Sequence, residues 1–239
     1  TNGIELDHEL ARLRLSACEA IVRLGFHQAL PIDEATALLE EGDALAARVG
    51  DTRTAVFLTS ARGNLRSSAG DAEGALAFHE AAYARARRNG DDEASLLLAA
   101  RLVLTERMAG RLHAALRHAD EALEASRAMP VKQSVTIARH HVELARIVVL
   151  LDIGRAEAGA ADLGAAITAL RAANRPGELG WALAATAFQM RNTGDMSPML
   201  AARVEEARVI AQQIGVPGML AYSATALSLA RSSSMYSPI

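Results

Sequence analysis

Two clusters of side chains in this sequence have residue types that could hold a metal ion. His140 and His141 with Glu143 would offer two imidazoles and a carboxylate, all of which bind zinc. Adjacent positions of a helix point about 100° apart, however, so His140 and His141 would not face the same ion. The sequence also has neither the HExxH nor the CxxC spacing of known zinc sites. The acidic run 91–93 could bind a metal–diphosphate group, but it follows a glycine at a predicted turn, where carboxylates satisfy free helix amides. We therefore expect neither a metal site nor a cofactor.

Motifs for nucleotide binding and nucleophilic catalysis are also missing from the sequence. It contains no GxxxxGK[ST] loop and no GxGxxG, and no serine or cysteine has recognisable partner residues for a nucleophile. We therefore predict that the chain is not an enzyme. A helical enzyme is kept as a third alternative only, because no catalytic constellation can be assembled from these residues.

The charge pattern does not favour binding to nucleic acid. The formal net charge is −3, and the basic residues are scattered along the chain instead of forming a stripe. The one basic cluster, Arg85, Arg87 and Arg88, lies at a predicted helix C-terminus, where positive charge complements the helix dipole. We expect no direct nucleic-acid binding by this chain.

The sequence is typical of a cytoplasmic protein without a membrane segment. Its single cysteine, Cys18, excludes an internal disulfide and suits a reducing compartment. The longest aliphatic run, 147–151, is far too short to span a bilayer, and the N-terminus is acidic, unlike a signal peptide. Because the chain starts at Thr1 without an initiator Met, we expect it to be an excised or processed piece of a longer polypeptide.

A recurring glycine punctuation indicates that the chain is a repeat array. At the predicted turns, Gly-Asp occurs at positions 50, 70, 90 and 194, and Gly-Arg occurs at 110 and 154. Alternate glycines are 40 or 44 residues apart, a period that is typical of helical solenoids. Solenoids usually serve as recognition scaffolds.

Between these glycines the sequence predicts helices only. The hydrophobic fraction is 51% but the aromatic fraction is 3%, so Ala and Leu, both strong helix formers, supply the apolar surface. In the first segment Leu6, Leu10, Leu13, Ala17, Ile21 and Leu24 share one helix face. After a break at Leu30-Pro31, a second helix ends at Val49, and Gly50 closes it. Further helices are predicted at about 52–68, 72–88, 92–109, 112–128, 132–153, 156–173, 178–193, 197–214 and 218–231. The Asp of each Gly-Asp pair is predicted to cap the next helix.

Two of the units resemble the tetratricopeptide repeat, a helix-pair family. The residues that carry the resemblance are Gly70, Ala75, Leu76, His79, Ala82 and Tyr83 in one unit, and Gly110, Ala115, Leu116, Ala119, Ala122 and Leu123 in the next. The resemblance implies that Ala75, Ala82, Ala115 and Ala122 lie where helices cross, and that Gly63 is the first-helix glycine. It implies an all-α fold, an α-α superhelix of about five helix pairs plus a terminal helix, with a repeat of about 40 residues.

The long, Ala-rich units look like the tetratricopeptide-like arrays of large bacterial signal-transduction ATPases and transcriptional regulators. This resemblance implies a non-catalytic region that senses an effector or binds a protein, as a fragment of such a regulator. A freestanding adaptor or assembly protein, and a peptide-sensing quorum-type regulator module, remain as alternatives.

Aligning the units on their glycines predicts a binding groove on the first helix of each pair. The aligned positions hold Phe57, Leu97, His141 and Trp181 in one row and Asn64, Leu104, Val148 and Phe188 in a second, with Arg101 and Arg107 nearby. We predict a mainly apolar groove with a few polar anchors, which would bind a protein or peptide segment or an apolar small effector. The alternative is that these residues pack between adjacent helices, because apolar residues at helical spacing are core by default.

In the predicted last helix, the stretch 218–230 contains no charged residue, although a terminal repeat normally needs a polar outer face. We expect it to be covered by a further helix, by its counterpart in a homodimer or by a partner domain. Residues 1–231 are predicted to form a single solenoid domain, and 232–239 a frayed tail.

Overall fold

The computed structural model describes residues 2–28, 30–195, 197–216, 219–221 and 223–224, and within these ranges the chain is helical without a strand. The helices are α1 (Asn2–Gln28), α2 (Ile32–Val49), α3 (Thr52–Ser68), α4 (Ala72–Arg88), α5 (Asp92–Met108), α6 (Leu112–Ser126), α7 (Gln133–Asp152), α8 (Ala156–Ala172), α9 (Pro176–Thr193) and α10 (Pro198–Ile214). The predicted all-α repeat fold is thereby confirmed. Of the predicted helix 218–231, positions 219–221 and 223–224 are helical, and the rest lies outside the described residues, as does the tail 232–239.

The chain forms two compact units, which divide at the turn between α5 and α6. Unit 1 is Thr1–Gly110 and contains α1 to α5, whereas unit 2 is Arg111–Ile239 and contains α6 to α10. Within each unit every helix packs against the next one along the chain, and in unit 2 α7 also packs against α9. Such packing of consecutive helices follows from short connections between amphipathic helices, none of which can bury its apolar face alone.

Three Gly-Asp pairs set the helix boundaries of unit 1 as predicted. Gly50 closes α2 with a φ of 72°, a left-handed conformation that glycine adopts without a Cβ clash. The carboxylates of Asp51, Asp71 and Asp91 then accept the backbone N–H three residues ahead, at 2.9, 2.8 and 3.0 Å. These bonds satisfy amides that the first helical turn leaves without intrahelical partners.

The fourth pair, Gly194-Asp195, behaves differently, and the prediction that Asp195 caps the next helix is wrong. Its Oδ1 accepts the backbone N–H of Ser197 at 2.8 Å, and Ser197 itself is the N-cap residue of α10. The reason is Pro198, which occupies the first helical position. Proline is favoured at that position because it has no N–H to satisfy. The helix therefore begins at Pro198, whereas a cap by Asp195 would require it to begin directly after the aspartate.

The small residues implied by the tetratricopeptide resemblance lie at buried helix contacts. Ala75, Ala82, Ala115 and Ala122 are all buried. At Gly63, which is also buried, an added Cβ would stand 2.5 Å from Nε2 of His79, so α3 and α4 touch at a position that has room only for hydrogen. Close approach of helices at small residues is what lets Ala-rich pairs of this length bury a core.

The apolar stripe predicted on α1 exists, but it is not the face that packs into unit 1. The core stripe consists of Ala11, Leu15, Cys18 and Val22, which pack with residues of α2 and α3. The side chains of Leu10, Leu13 and Ile21 are instead 57, 69 and 45% exposed. The side chains of Leu6 and Leu24 lie outside those described. The helix α1 is therefore apolar on two faces, which a single periodicity count cannot separate.

In unit 2, an arginine connects the two ends of the loop between α6 and α7. Arg139 of α7 donates from Nη2 to the backbone carbonyl of Ser126 at 2.7 Å and from Nε to its hydroxyl at 3.1 Å. A cation at the last carbonyls of a helix is favoured by the helix dipole. The loop residue Val131 is 98% exposed.

Candidate functional site

The side chains of α1, α3 and α5 meet on one surface of unit 1, which we call the first-helix face. It consists of Arg23 of α1, Phe57 and Asn64 of α3, and Leu97, Arg101 and Leu104 of α5. The spacing of Leu97, Arg101 and Leu104 by four and three residues places them on the same side of α5, and the seven residues from Phe57 to Asn64 do so on α3. Five of these six residues belong to the predicted groove.

Arg101 and Asn64 form the polar centre of the first-helix face. The guanidinium of Arg101 donates from Nη1 to Oδ1 of Asn64 at 2.8 Å, which connects α5 with α3. Arg101 is solvent-exposed, yet the surrounding protein desolvates it and, together with the charge of Arg23, lowers its pKa. Because the ordinary pKa of arginine is so high, Arg101 stays cationic at neutral pH.

Arg23 extends this face onto α1 by stacking on an aromatic ring. Its Cζ lies 4.4 Å from the centroid of the Phe57 ring, within the range of a cation–π interaction. Arg23 also forms an ion pair with Glu19, one helical turn earlier on α1. Phe57 is half-buried and packs on the core of α1 to α3.

Two leucines on α5 give this face its exposed apolar surface. Leu97 and Leu104 are 39 and 41% exposed and flank Arg101 in the sequence of the helix. Met108, one turn beyond Leu104, is also exposed. Arg107 is half-buried on the same helix. The surface therefore combines apolar side chains with a guanidinium that has N–H donors to spare beyond its bond to Asn64.

In unit 2 the predicted groove residues lie on α7 and α9, and they differ in exposure. Trp181 is 36% exposed, and His141 is half-buried. Phe188 is half-buried and packs against the core of unit 2. Val148 was aligned with these groove positions, but it is buried within the core formed by Leu144, Ile147 and Leu151 and the helices around them. The placement of Val148 in the groove is therefore wrong, because α7 is surrounded by α6, α8 and α9.

Of the histidine pair of α7, His140 is held by a hydrogen bond within the helix. Nδ1 of His140 lies 3.0 Å from Oε2 of Glu143, one turn along the helix. His141 lies near Glu178, whose pKa is lowered: burial raises it, but the hydrogen bond from Arg175 and neighbouring positive charge outweigh that effect. Among the described residues, no three His, Cys, Asp or Glu side chains converge as a metal site would require.

The glycine alignment did not identify Arg23 as a residue of this face. The helix α1 precedes the first Gly-Asp pair, so the periodicity gave it no register against α3. No sequence pattern marks a stacked arginine, and only the packing of α1 beside α3 brings its guanidinium over Phe57.

Comparison with known proteins identifies the fold of the chain and nothing narrower. No protein-family model matches it, and no curated protein matches its sequence. Among solved structures, it is similar to the nearly identical TPR-like repeats assigned to a kinesin light chain of Podosopora anserina, with a TM-score of 0.56 at 15% identity over 84% of this chain and 96% of that one. A variant of those repeats gives a TM-score of 0.57 at 14% identity over 84% and 96% of the two chains.

A third solved structure gives the same result. BtubC (BKLC) from P. vanneervenii matches with a TM-score of 0.52 at 16% identity, over 85% of this chain and 92% of that chain. At such identities the likeness shows the fold alone. The chain has the fold of TPR-like repeat proteins, as the sequence predicted. No helix among the described residues has the length and apolarity needed to cross a membrane.

Proposed function

We propose that this chain is a non-catalytic protein-interaction repeat domain, and that the first-helix face of unit 1 binds a segment of a partner protein. The observation that carries the proposal is the exposed guanidinium of Arg101, held by Asn64 and flanked by the exposed side chains of Leu97 and Leu104. Protein-binding surfaces typically combine a few apolar or arginine anchors with a surrounding polar rim. TPR-like neighbours support the same interpretation at the level of fold.

The chemistry of this face favours a segment that presents apolar side chains and a carboxylate. Among the described residues, no carboxylate hydrogen-bonds to Arg101, and its charged neighbour Arg23 has the same sign. A carboxylate of the partner would receive charge-assisted hydrogen bonds, which are stronger than hydrogen bonds between neutral groups. Leu97 and Leu104 would contribute by burying apolar area against the same segment.

Beyond this site, we propose that the chain serves as the sensor or interaction region of a larger bacterial signalling or transcriptional regulator acting in the cytoplasm. Support comes from the sequence resemblance and from the single buried cysteine, which suits a reducing compartment. The freestanding adaptor and the quorum-type module are the alternatives. Blotting a lysate of the source organism would separate the adaptor from the other two, because a module of a regulator gives a band well above 25.2 kDa and an adaptor a band at that mass.

The binding proposal is tested with peptides of known sequence. A displayed library of random peptides of about 15 residues, long enough for four helical turns, is selected on the wild-type chain. Recovered peptides are then titrated by calorimetry against wild type, Arg101→Ala and Leu104→Ser. We expect selected peptides to contain both apolar residues and Asp or Glu, and each variant to weaken binding at least about tenfold.

A matched control separates this face from exposed apolar surface in general. Met199 of α10 is 61% exposed and lies in unit 2, outside the first-helix face. Met199→Ser should bind the selected peptides as wild type does. Selected peptides that bind Arg101→Ala and Leu104→Ser with wild-type affinity would place the binding surface elsewhere and refute this proposal.

A further inference from the structure

The helix α1 carries an exposed apolar stripe about 130° around the helix from the residues that pack into unit 1. The stripe consists of exposed residues at steps of three and four, Leu10, Leu13, Ala17 and Ile21. The charge of Arg14, which borders the stripe, is compensated by an ion pair with Glu41 of α2. The stripe is therefore an apolar surface that none of the described helices covers.

The contact between α3 and α2 shows what a first helix packs against when a helix pair precedes it. Leu58 of α3 is fully buried, and its Cδ1 lies 2.9 Å from the place where a Cβ of Gly42 on α2 would stand. The helix α3 is the first of its pair, whereas α2 is the second helix of the pair before it. A leucine of one pair thus fits against the smallest residue of the preceding pair.

The same contact recurs one repeat later. Leu98 of α5 lies 40 residues after Leu58, and Ala82 of α4 lies 40 residues after Gly42. Leu98 and Ala82 belong to one buried cluster. Both α3 and α5 therefore bury a leucine against a small residue on the second helix of the preceding pair, which allows the helices to pack closely.

The register of the repeat gives Leu13 of α1 the position of that leucine. Cys18 of α1 and Gly63 of α3 are both small residues on the face that meets the following helix. Leu13 precedes Cys18 by five residues, just as Leu58 precedes Gly63. Leu58 is fully buried, but Leu13 is 69% exposed. The helix α1 therefore has the packing surface of a first helix, and the pair that fits this surface is absent from the described residues.

The chemistry of the stripe is also that of an internal repeat. A repeat at the end of a solenoid needs a polar outer face for solubility. On α1 the positions that a preceding pair would contact hold leucine, alanine and isoleucine instead. Covering them with another helix pair removes this apolar area from water, which is favourable.

We propose that a further helix pair of the same polypeptide precedes α1 and packs on the stripe as α1 and α2 pack on α3. Its second helix places a glycine or alanine against Leu13, in the manner of Gly42 against Leu58. The proposed pair continues an interface that unit 1 already uses between α2 and α3 and between α4 and α5. The inference rests on the longer polypeptide of the proposed regulator, but it does not involve the first-helix face.

The first test reads the gene of the source organism upstream of the codon for Thr1. We expect about 40 preceding residues to contain two amphipathic helix patterns separated by a turn, with Gly or Ala at helical spacing in the second. A start codon too close to Thr1 for a helix pair would overturn the inference. A long upstream sequence without such a pair would also overturn it but would leave the proposed regulator intact, so the two failures are distinguishable.

Cysteine labelling then tests whether that pair covers the stripe. In this 239-residue chain, Leu13→Cys should react readily with a maleimide, because position 13 is exposed whereas Cys18 is buried. In the polypeptide of native length, the same variant should react at least about tenfold more slowly, because a packed helix must open before the thiol is reached. Mass spectrometry assigns the labelled position.

Two controls separate burial by the preceding pair from other effects of a longer chain. Val131→Cys, in the exposed loop of unit 2, should react equally fast in both polypeptides. Removal of the upstream pair alone from the native-length polypeptide should restore the fast reaction of Leu13→Cys. Equal reaction of Leu13→Cys at both lengths, or continued protection after the pair is removed, would overturn the proposal.

Discussion

The imidazole of His79 occupies the space that the missing Cβ of Gly63 leaves open between α4 and α3. Its Nδ1 lies 2.8 Å from the hydroxyl of Thr105 on α5, and its Nε2 lies 3.2 Å from the backbone carbonyl of Ser60 on α3. One buried side chain on α4 therefore connects three successive helices of unit 1. Because both ring nitrogens are hydrogen-bonded, the orientation of the imidazole ring is fixed.

Gly63→Ala should destabilise the chain by about 1 to 3 kcal/mol, the usual effect of overpacking a close contact. The new Cβ would stand 2.5 Å from Nε2 of His79, so the ring would have to give up its bonds or the helices would have to separate. Urea unfolding followed by circular dichroism measures the change.

The matched control for Gly63→Ala is Gly164→Ala in α8. A Cβ added at Gly164 meets no atom within 4 Å. There the substitution should be neutral or stabilise by about 0.5 to 1 kcal/mol, because alanine is the better helix former. Equal effects at the two positions would show that the contact with His79 does not limit the packing of α3 on α4.

Acid should weaken the folded state through His79. Burial, with a smaller effect of the Arg101 charge, lowers the pKa of His79 from 6.5 to about 4. The folded state therefore favours the neutral ring, so this contribution to stability is complete above pH 6.5 and is lost as the pH falls toward 4. The shift corresponds to about 3 kcal/mol across that window.

The measurement compares wild type with His79→Gln, which keeps hydrogen-bonding groups but has no charge to gain. Urea unfolding of both is followed from pH 7.5 to 4. Acidic residues titrate in both proteins, so only the difference between the two curves reports on His79. We expect wild type to lose stability relative to the variant as the pH falls. Parallel curves would mean that the ring titrates normally.

Arg155→Asp should stabilise unit 2 by about 0.5 to 1 kcal/mol. Arg155 is the N-cap residue of α8 and makes no side-chain capping bond, whereas Asp51 at the same place in α3 accepts the backbone N–H of Thr54. The substitution would supply that bond and replace a positive charge at the positive end of the helix dipole. Thermal unfolding measures the gain.

Arg155→Ala serves as the control for the capping effect, since it removes the charge without adding an acceptor. Arg155→Asp should exceed it in stability. If the two are equally stable, charge removal alone accounts for the change and the turn before α8 does not accept an aspartate cap.

Trp181, the single tryptophan of the chain, should report directly on the α7–α9 surface of unit 2. Because 36% of it is exposed, acrylamide should quench its fluorescence in the free protein. A ligand that covers this surface should reduce the quenching constant, whereas one that binds only the first-helix face should not. Fluorescence that resists the quencher in the free protein would make Trp181 a core residue.

The sequence predicted helix positions well because their determinants are local. Gly50 ends α2 through its own backbone conformation, and Asp51 caps α3 through the amide three residues ahead. Both roles can therefore be predicted without knowing the tertiary packing. Which helix face is buried depends instead on neighbours. The period of α1 suits both its buried and its exposed stripe, and the aligned position of Val148 is buried because α7 has helices around it. Arg23 belongs to the first-helix face because of its contact with Phe57 on another helix, and residue spacing in the sequence does not predict such a contact.

The bond from Arg139 to Ser126 also affects how protease digestion of this chain should be interpreted. The exposed loop around Val131 contains Arg127 and Lys132, so trypsin has accessible bonds there. A nick would leave α6 and α7 packed together, with Arg139 still holding the last carbonyl of α6. Two fragments on a denaturing gel would then suggest a domain boundary near residue 130, although the compact units divide at residue 110 and the cleaved halves of unit 2 would remain associated in native solution.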